Sequence, residues 1–337
     1  MRRSKILGVG SFLPPKVVTN DDLTKYMDTS DEWIRQRSGI EERRWVEIDS
    51  QTGSSDLGLR AAEKAITSAG IKKEDLDCII FATLSPDVHF PGTGCYLQAK
   101  LGVPGIPAID IRQQCTGFIY GLSIADQFVK TGMYNKILVV GAEVHSKGLD
   151  KTTRGRDVTV LFGDGAGAVI VGAAEGSKAT EQSHILSTHL HSDGRFADEL
   201  LVKLPGMAHP GEWIAADQLN GDEYPRMNGK AVFVHATKRM PEAVTEALEA
   251  NHLAVSDVDL FVFHQANLRI NEACAKQLGI PGEKVFNTIQ KYGNTTAATI
   301  PIGLDDAVKM GKLKPGMLVA MAAFGSGFTW ASAVVRW

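Results

Sequence analysis

Cys115 stands where a thiol could act as a nucleophile. It follows the apolar, strand-like run Ile109–Ile111 and precedes a helix-like run from Phe118 to Val129. At a helix N-terminus, unpaired backbone N–H groups and the helix dipole favour a thiolate over a thiol. A free cysteine with a pKa near 8.5 is only about 3% ionised at pH 7, so we expect this position to lower the pKa of Cys115. The alternative is that Cys115 is a small core hydrophobe.

Two side chains that can donate hydrogen bonds lie far from Cys115 in the sequence. His264 follows the apolar run Leu260–Phe263, and Asn294 precedes two threonines at a predicted helix start. A thiolate is a nucleophile, and donors of this kind can stabilise negative charge that develops on a substrate. Taken singly, such a histidine is often a hydrogen-bonded core residue and such an asparagine is often an N-cap. The fold must bring the three together if they form a site.

Apolar runs and helical patterns alternate along the chain, which predicts an α/β fold with helices packed against sheets. The predicted strands are Lys5–Phe12, Cys78–Ala82, Lys136–Val140, Val158–Phe162, Ala166–Val171, Leu260–Phe263, Leu318–Ala322 and Trp330–Val335. The predicted helices are Gly53–Ala69, Phe118–Val129, Gly229–Asn251, Asn267–Leu278 and Ile300–Met310.

The two halves of the chain repeat the same landmarks in the same order. Cys115 and Asn294 each precede a Val-Lys-x-Gly sequence by the same number of positions. The other repeated pairs are Asp75–Phe81 with Asp257–Phe263, Leu101–Pro104 with Leu278–Pro281, and Phe162–Gly165 with Phe324–Gly327. Chance similarity between β-α-β segments is the alternative, but shared order and spacing favour duplication. We predict two similar halves, 1–175 and 176–337, whose pseudo-twofold axis lets Cys115, Asn294 and His264 converge.

Composition limits the classes of protein that fit. The chain has 337 residues, of which 44% are hydrophobic, so it can fill a sizeable core. A net charge of −3 gives no electrostatic reason to expect nucleic acid. Four cysteines are too few for a disulfide scaffold, which predicts reduced thiols and a cytoplasmic location.

The sequence also lacks the usual membrane and metal patterns. Gly8, Gly10 and Pro14 interrupt the first apolar run, so we interpret it as a β-strand and not a signal peptide. No apolar stretch approaches transmembrane length, and we predict no membrane insertion. The nine histidines and four cysteines show no ligand spacing, so we predict no metal site.

Motifs along the whole chain resemble one family. They are Thr29–Ile34 followed by Arg37–Ile40, then Phe162–Gly167, His264–Ile270, Tyr292–Ala298 and Phe324–Trp330. In this order they make the sequence similar to the β-ketoacyl-acyl carrier protein synthase III family of the thiolase superfamily. The resemblance implies a five-layered α-β-α-β-α fold built from two duplicated halves. It also implies a homodimer.

The resemblance implies a decarboxylative Claisen condensation of a short acyl-CoA primer with malonyl-acyl carrier protein, which initiates fatty acid biosynthesis. Cys115 would hold the acyl group as a thioester. His264 and Asn294 would donate to the enolate left by CO2 loss, each lowering the barrier by roughly 3 kcal/mol. The backbone N–H groups of Cys115 and Ser326 would form an oxyanion hole. No cofactor is implied beyond the two thioester substrates.

The same resemblance implies binding sites for both thioester carriers. The residues expected to bind CoA are Trp33, Arg37, Arg156, Gly229 and Asn267. Arg269 and Lys276, seven positions apart on one predicted helix face, are expected to dock the acidic acyl carrier protein. Phe90 is expected to cross the dimer interface and cap the partner's acyl pocket. The alternative for these positions is ordinary packing, with solvated charges at the surface.

Two other functions stay open. One is a related acyltransferase or condensing enzyme of secondary, polyketide-like metabolism with a different acyl donor or acceptor. The other is a non-catalytic module that binds the carrier protein, against which Cys115, His264 and Asn294 all argue.

Residues 205–226 are longer than the family norm, which predicts a surface loop at the mouth of the substrate channel.

Overall fold

The computed structural model describes residues 2–174, 183–208 and 220–337. In chain order its strands are β1 Arg3–Phe12, β2 Lys16–Thr19, β3 Glu42–Trp45, β4 Cys78–Ala82, β5 Ala108–Ile111, β6 Lys136–Glu143, β7 Gly165–Ala174, β8 His184–Ser192, β9 Leu200–Leu201, β10 Arg226–Met227, β11 Leu260–Phe263, β12 Leu318–Gly325 and β13 Thr329–Arg336. Its α-helices are α1 Asn20–Leu23, α2 Asp31–Ser38, α3 Ser54–Ala69, α4 Thr93–Leu101, α5 Gly117–Thr131, α6 Arg156–Thr159, α7 Gly229–Ala250, α8 Leu268–Leu278, α9 Ile289–Tyr292 and α10 Thr299–Lys309.

Two large sheets have the same strand order. The first runs β1-β7-β6-β4-β5 and the second runs β8-β13-β12-β11. In each sheet the second strand is antiparallel to its neighbours and the remaining pairs are parallel. A parallel bridge between Phe261 and Val285 adds to the second sheet at the edge that β5 occupies in the first. The sheets therefore show the predicted duplication.

Helices complete five layers. α3 and α4 cover the outer face of the first sheet, and α7 and α8 cover the outer face of the second. α5 and α10 lie between the sheets, where their apolar residues form one core with strands of both. β4 and β11 are buried along their whole length, which is why they read as continuous apolar runs. The predicted α-β-α-β-α fold is confirmed.

The predicted helices occur with bounds shifted by one or two residues. Gly132 caps the C-terminus of α5 and Gly279 caps that of α8, both with the left-handed backbone that glycine adopts without strain. Asn267, predicted as the first residue of α8, is its N-cap. Because helix ends are set by single capping residues, the apolar pattern locates a helix more accurately than its termini.

The predicted strand Val158–Phe162 is wrong. These residues lie partly in α6, and a parallel bridge joins Phe162 to Asn294. A short apolar run does not distinguish a strand from a buried helical turn, because both bury every side chain. This difference from the prediction matters for the site, because the bridge holds the backbone of Asn294 against Phe162.

The boundary between the halves stays a prediction. The strands of the first sheet end at Ala174 and those of the second begin at His184, but residues 175–182 lie outside the described part of the chain. No helix in the described ranges is long and apolar enough to cross a bilayer. All four cysteines are free thiols.

Candidate active site

One cavity of about 490 Å³ gathers the three predicted catalytic side chains. Cys115, His264 and Asn294 all line it, although they come from three separate stretches of the chain. Trp33 and Arg37 also line this cavity. The duplication therefore does what the sequence predicted, since it brings equivalent corners of the two halves to one place.

Cys115 lies in a tight turn between β5 and α5. The turn is a 3₁₀ segment, Gln114–Thr116, and Gln114 has a left-handed backbone with φ 42°. A non-glycine residue in this region is strained by roughly 1 kcal/mol or more. The Thr116 hydroxyl stabilises the turn through hydrogen bonds to Gln113 O at 2.8 Å and with the Thr329 hydroxyl at 2.9 Å.

The predicted lowering of the Cys115 pKa is wrong for the unliganded protein. Burial, with a smaller contribution from the carboxylate of Glu143, raises the pKa of this thiol to about 12. The backbone N–H groups of Cys115 and Ser326 act in the opposite direction and lower it. Desolvation outweighs the helix N-terminus here because the thiol is almost completely removed from water.

The loop after β12 packs directly on the thiol. A Cβ atom at Gly325 would lie 2.8 Å from Cys115 Cβ and 3.2 Å from Cys115 Sγ, so only glycine fits. The Ser326 hydroxyl points away and donates to Leu200 O. Its side chain therefore fits the tight loop, and its N–H stays directed at the sulfur of Cys115. Two N–H groups beside the sulfur are suited to hold an oxyanion.

His264 is fixed through one ring nitrogen. It follows β11, and its backbone N–H donates to Ala322 O at 2.9 Å. Its ring nitrogen Nδ1 lies 2.7 Å from the Thr299 hydroxyl. Nε2 is buried and has no hydrogen-bond partner within the described ranges. Burial lowers the pKa of His264 to about 3, so the imidazole is neutral.

The Thr299 hydroxyl can set the tautomer of His264. It can donate either to Thr296 O at 3.0 Å or to His264 Nδ1 at 2.7 Å. When the hydroxyl donates to Nδ1, the ring proton is on Nε2. In this tautomer the unpartnered nitrogen is a hydrogen-bond donor.

Asn294 is oriented by its own turn. Its Oδ1 accepts the N–H of Thr296 at 2.8 Å, so Nδ2 is left as the donor. Its backbone N–H donates to Leu161 O at 2.8 Å, and its carbonyl accepts from Gly163 N at 3.0 Å. Both the side chain and the backbone of Asn294 are therefore fixed before any substrate binds.

At the mouth of the cavity, two guanidinium groups stack on Trp33. Arg37 lies 4.3 Å and Arg156 lies 4.6 Å from the ring centroid. Arg156 also donates to Asp28 O at 2.8 Å, whereas its neighbour Arg154 pairs with Asp150. Arg156 is not among the residues that line the cavity, but it shares the Trp33 platform with Arg37, which does.

The other predicted binding residues fall into two groups. Gly229, Asn267 and Arg269 line the cavity. Asn267 caps α8 and donates to Arg37 O at 2.8 Å, so its side chain ties α8 to α2. Lys276 is exposed on α8 outside the cavity, and Phe90 is 77% exposed and also outside it.

The sequence did not identify Glu143 as a site residue. Its carboxylate is buried at the end of β6 and accepts from the Thr83 and Ser85 hydroxyls and from Leu84 N. Burial raises its pKa to about 7, although these donors partly offset the shift. A single acidic residue at the end of an apolar run does not indicate, from the sequence alone, that its carboxylate raises the pKa of Cys115.

The predicted loop at 205–226 lies partly outside the described residues, because 209–219 are not described. Its described ends lie near the cavity, which Leu200 and Met227 line. Arg154 stacks on Tyr224 at 5.7 Å. Within the described ranges, no group of three or more His, Cys, Asp or Glu side chains is arranged to hold a metal ion.

Known proteins match the chain over its full length. The family "3-Oxoacyl-[acyl-carrier-protein (ACP)] synthase III" matches residues 109–194, and its C-terminal family matches residues 248–337. The chain is 46% identical over 334 residues to a β-ketoacyl-[acyl-carrier-protein] synthase III of Xanthomonas campestris pv. campestris, covering 99% of this chain and 98% of that protein.

Solved structures agree. A 3-oxoacyl-[acyl-carrier-protein] synthase III from Aquifex aeolicus is 42% identical with a TM-score of 0.88, covering 99% of this chain and 100% of that one. A priming β-ketosynthase from the R1128 polyketide biosynthetic pathway is 31% identical with a TM-score of 0.87, covering 99% and 96%. Of these three proteins, the two with the higher identities are synthases III. The chain therefore belongs to the β-ketoacyl-[acyl-carrier-protein] synthase III family.

Proposed function

We propose that this chain condenses a short acyl-CoA primer with malonyl-acyl carrier protein, using Cys115 as acyl carrier. The product is a β-ketoacyl-acyl carrier protein, the first condensation product of fatty acid synthesis. The observation that carries the proposal is the cavity in which a thiol, a neutral imidazole and an oriented carboxamide meet. Family membership supports the reaction class.

In the first half-reaction, Cys115 Sγ attacks the thioester carbonyl of the acyl-CoA. The tetrahedral oxyanion accepts hydrogen bonds from the N–H groups of Cys115 and Ser326. The C–S bond to CoA then breaks, and CoA leaves as the thiol with the proton that Cys115 gives up. Because burial raises the pKa of Cys115 to about 12, the thiol keeps its proton until a substrate arrives.

In the second half-reaction, the malonyl thioester loses CO2 and its thioester oxygen becomes an enolate oxygen. His264 Nε2–H and Asn294 Nδ2–H donate to that oxygen, since both donors are left free by their partners Thr299 and Thr296. The enolate carbon attacks the acyl carbonyl on Cys115. The C–S bond to Cys115 then breaks, and the sulfur leaves as a thiolate that takes up one proton from solvent.

We propose that Trp33, Arg37 and Arg156 bind the nucleotide end of CoA. A flat indole face suits a purine, and the guanidinium groups suit phosphate. Gly229 and Asn267 line the same cavity, and we assign them to the binding of the pantetheine arm. Arg269 and Lys276 supply the positive charge for an acidic carrier protein on α8. We further propose a cytoplasmic homodimer in which Phe90, exposed here, caps the partner's acyl pocket.

The test separates the two half-reactions. Wild-type protein incubated with radiolabelled acetyl-CoA should become labelled on Cys115, and addition of malonyl-acyl carrier protein should release CO2 and discharge the label. Cys115→Ala should abolish labelling. Asn294→Ala should keep labelling and lose roughly 100-fold in decarboxylation, the size of a typical oxyanion-hole loss.

Three outcomes would contradict parts of the proposal. Equal loss of both half-reactions in Asn294→Ala would refute the division of roles. Labelling without decarboxylation of malonyl-acyl carrier protein would favour an enzyme that only transfers acyl groups or uses another acceptor. Carrier-protein binding with no labelling by any acyl-CoA would favour a binding module.

A further inference from the structure

We propose that His145 is a positioning residue for the decarboxylation step, acting through Thr296 on the carboxamide of Asn294. This inference rests on the proposed function and names an additional residue that the reaction needs. His145 lies in the loop after β6, far from Asn294 in the sequence. None of the motifs that identify the family includes it.

Two hydrogen bonds connect His145 to Asn294. His145 Nε2 lies 2.7 Å from the hydroxyl of Thr296, and the N–H of Thr296 donates to Asn294 Oδ1 at 2.8 Å. All three residues are buried, so water does not compete for these bonds. The bond from Thr296 fixes which end of the Asn294 amide is the donor, and the bond from His145 fixes Thr296.

Thr296 needs such an anchor because its backbone is strained. It has φ 50°, a left-handed conformation that a β-branched residue adopts at a cost of roughly 1–3 kcal/mol. Its side-chain bond to His145 favours this conformation over the extended alternative. Released from that bond, Thr296 would relax and turn its N–H away from Asn294 Oδ1.

Packing holds His145 itself. Its ring lies 4.6 Å from the ring of Phe162, whose backbone bridges to Asn294. The strand before it approaches the same turn, since a Cβ at Gly141 would lie 2.3 Å from Ala297 O. Burial keeps His145 neutral by lowering its pKa to about 3, so it adds no charge beside the enolate. The ring thus works as a rigid hydrogen-bonding spacer.

The geometry predicts that His145 serves one half-reaction. The groups next to the sulfur of Cys115 are the loop at Gly325 and Ser326 and the turn at Thr116. No hydrogen bond joins the His145 side chain to any of these groups, whereas its partner Thr296 is bonded to Asn294. A change at His145 should therefore alter decarboxylation and leave acylation of Cys115 in place.

The experiment compares His145→Leu with His145→Gln. Leucine removes the hydrogen bond, and glutamine can donate to the Thr296 hydroxyl from a similar distance. We expect His145→Leu to slow CO2 release from malonyl-acyl carrier protein at least about tenfold, a loss of roughly 1.4 kcal/mol in transition-state stabilisation. Cys115 labelling by acetyl-CoA should stay within about twofold of wild type, and His145→Gln should recover most of the decarboxylation rate.

A second pair of variants keeps the test decisive if His145→Leu folds poorly. Thr296→Val removes the hydroxyl from the other end of the bond and should reproduce the selective loss. In Thr296→Gly, the glycine adopts the left-handed backbone without a hydrogen bond to His145 to hold it there. In that background, His145→Leu should cause no further loss of decarboxylation.

Three results would overturn the inference. One is an equal slowing of acylation and decarboxylation in a folded His145→Leu protein. Another is a glutamine variant no better than leucine. The third is a loss that adds fully to that of Thr296→Gly, since residues acting through one bond cannot be independent. A wild-type protein inactive in both half-reactions would instead refute the proposed function, so the two failures are distinguishable.

Discussion

Single residues around Cys115 hold the thiol in a setting that opposes ionisation. Burial and the Glu143 carboxylate raise its pKa, and two backbone N–H groups partly offset them. In the proposed mechanism, the same N–H groups hold the oxyanion of acyl transfer. A substrate oxygen that accepts hydrogen bonds from these N–H groups receives the stabilisation that a thiolate in the free enzyme would otherwise have received. Stabilisation is therefore directed at the reacting state and not at the free enzyme.

Gly325→Ala tests how closely the loop must approach the thiol. The added Cβ would meet Cys115 Cβ at 2.8 Å, a distance that forces the loop and the Ser326 N–H away from the sulfur. We expect acylation of Cys115 to slow at least about tenfold, and the free energy of unfolding to fall by roughly 1–3 kcal/mol. Labelling by acetyl-CoA and urea denaturation measure the two effects.

Gly282→Ala is the matched control for this change. It adds the same methyl group where nothing lies within 4 Å, so neither quantity should change. An unchanged acylation rate in Gly325→Ala would contradict the assignment of Ser326 N–H to the oxyanion hole.

Residues that orient the proposed catalytic side chains are harder to predict from the sequence than those side chains themselves. Cys115, His264 and Asn294 stand at ends of recognisable elements, so local pattern reveals them. Thr299 and His145 act through partners that are 35 and 151 positions away, and no local pattern records such a pairing. Predicting Thr299 and His145 requires knowing which residues of one half pack against which residues of the other.

Among the elements, the carboxyl end of β6 organises the site from behind. Gly141 and Glu143 alternate along β6 and so share one face of the strand, and His145 follows in the loop after it. Gly141 lets the turn after Asn294 approach closely, Glu143 holds the loop after β4, and His145 anchors Thr296. The sequence pattern of this segment predicts only another buried strand. Its role in the site is visible only from the elements that pack against it.

Glu143→Gln tests the charge at this strand end through the pH dependence of stability. Burial raises the pKa of Glu143 from the ordinary 4.5 to about 7. A raised pKa means that its stabilising contribution is present below about pH 4.5 and is lost as pH rises through about 7. Glutamine does not titrate, so the variant should gain stability relative to wild type between pH 5 and pH 8. Urea denaturation at a series of pH values measures the difference.

Glu249→Gln, on the exposed face of α7, is the control, and its difference from wild type should not follow this course. A Glu143→Gln difference that is flat from pH 5 to pH 8 would show that Glu143 ionises normally. A difference that moved in the opposite direction would show that the donors from Thr83, Leu84 and Ser85 outweigh burial.

For the whole molecule, the repeat was predictable from the order and spacing of landmarks, but the way the halves interlock was not. Each half contributes one helix to the shared central layer, and that layer packs against both sheets. Equivalent buried aspartates occur on the two helices: Asp126 pairs with Lys130 on α5, and Asp305 pairs with Lys309 on α10. Both lie the same distance in sequence after Cys115 and Asn294, a correspondence visible once the repeat is aligned.

Strand β1 joins these two aspartates across the molecule. The Ser4 hydroxyl donates to Asp126 in its own half, and the Ser11 hydroxyl donates to Asp305 in the other half. Because the central layer belongs to both halves, we expect the chain to unfold in one transition. Ser4→Ala and Ser11→Ala should each lower the free energy of unfolding by about 2 kcal/mol, as for a hydrogen bond to a charged group.

The two losses should add in the double variant, because the serines are roughly 23 Å apart along an extended strand. Urea denaturation followed by tryptophan fluorescence and by circular dichroism should give coincident single transitions for all three variants. Two separated transitions, with Ser4→Ala moving only one of them and Ser11→Ala only the other, would mean that the halves are independent folding units. Coincident transitions would instead show that the site between the halves exists only when both halves are folded, since Cys115 comes from one and His264 and Asn294 from the other.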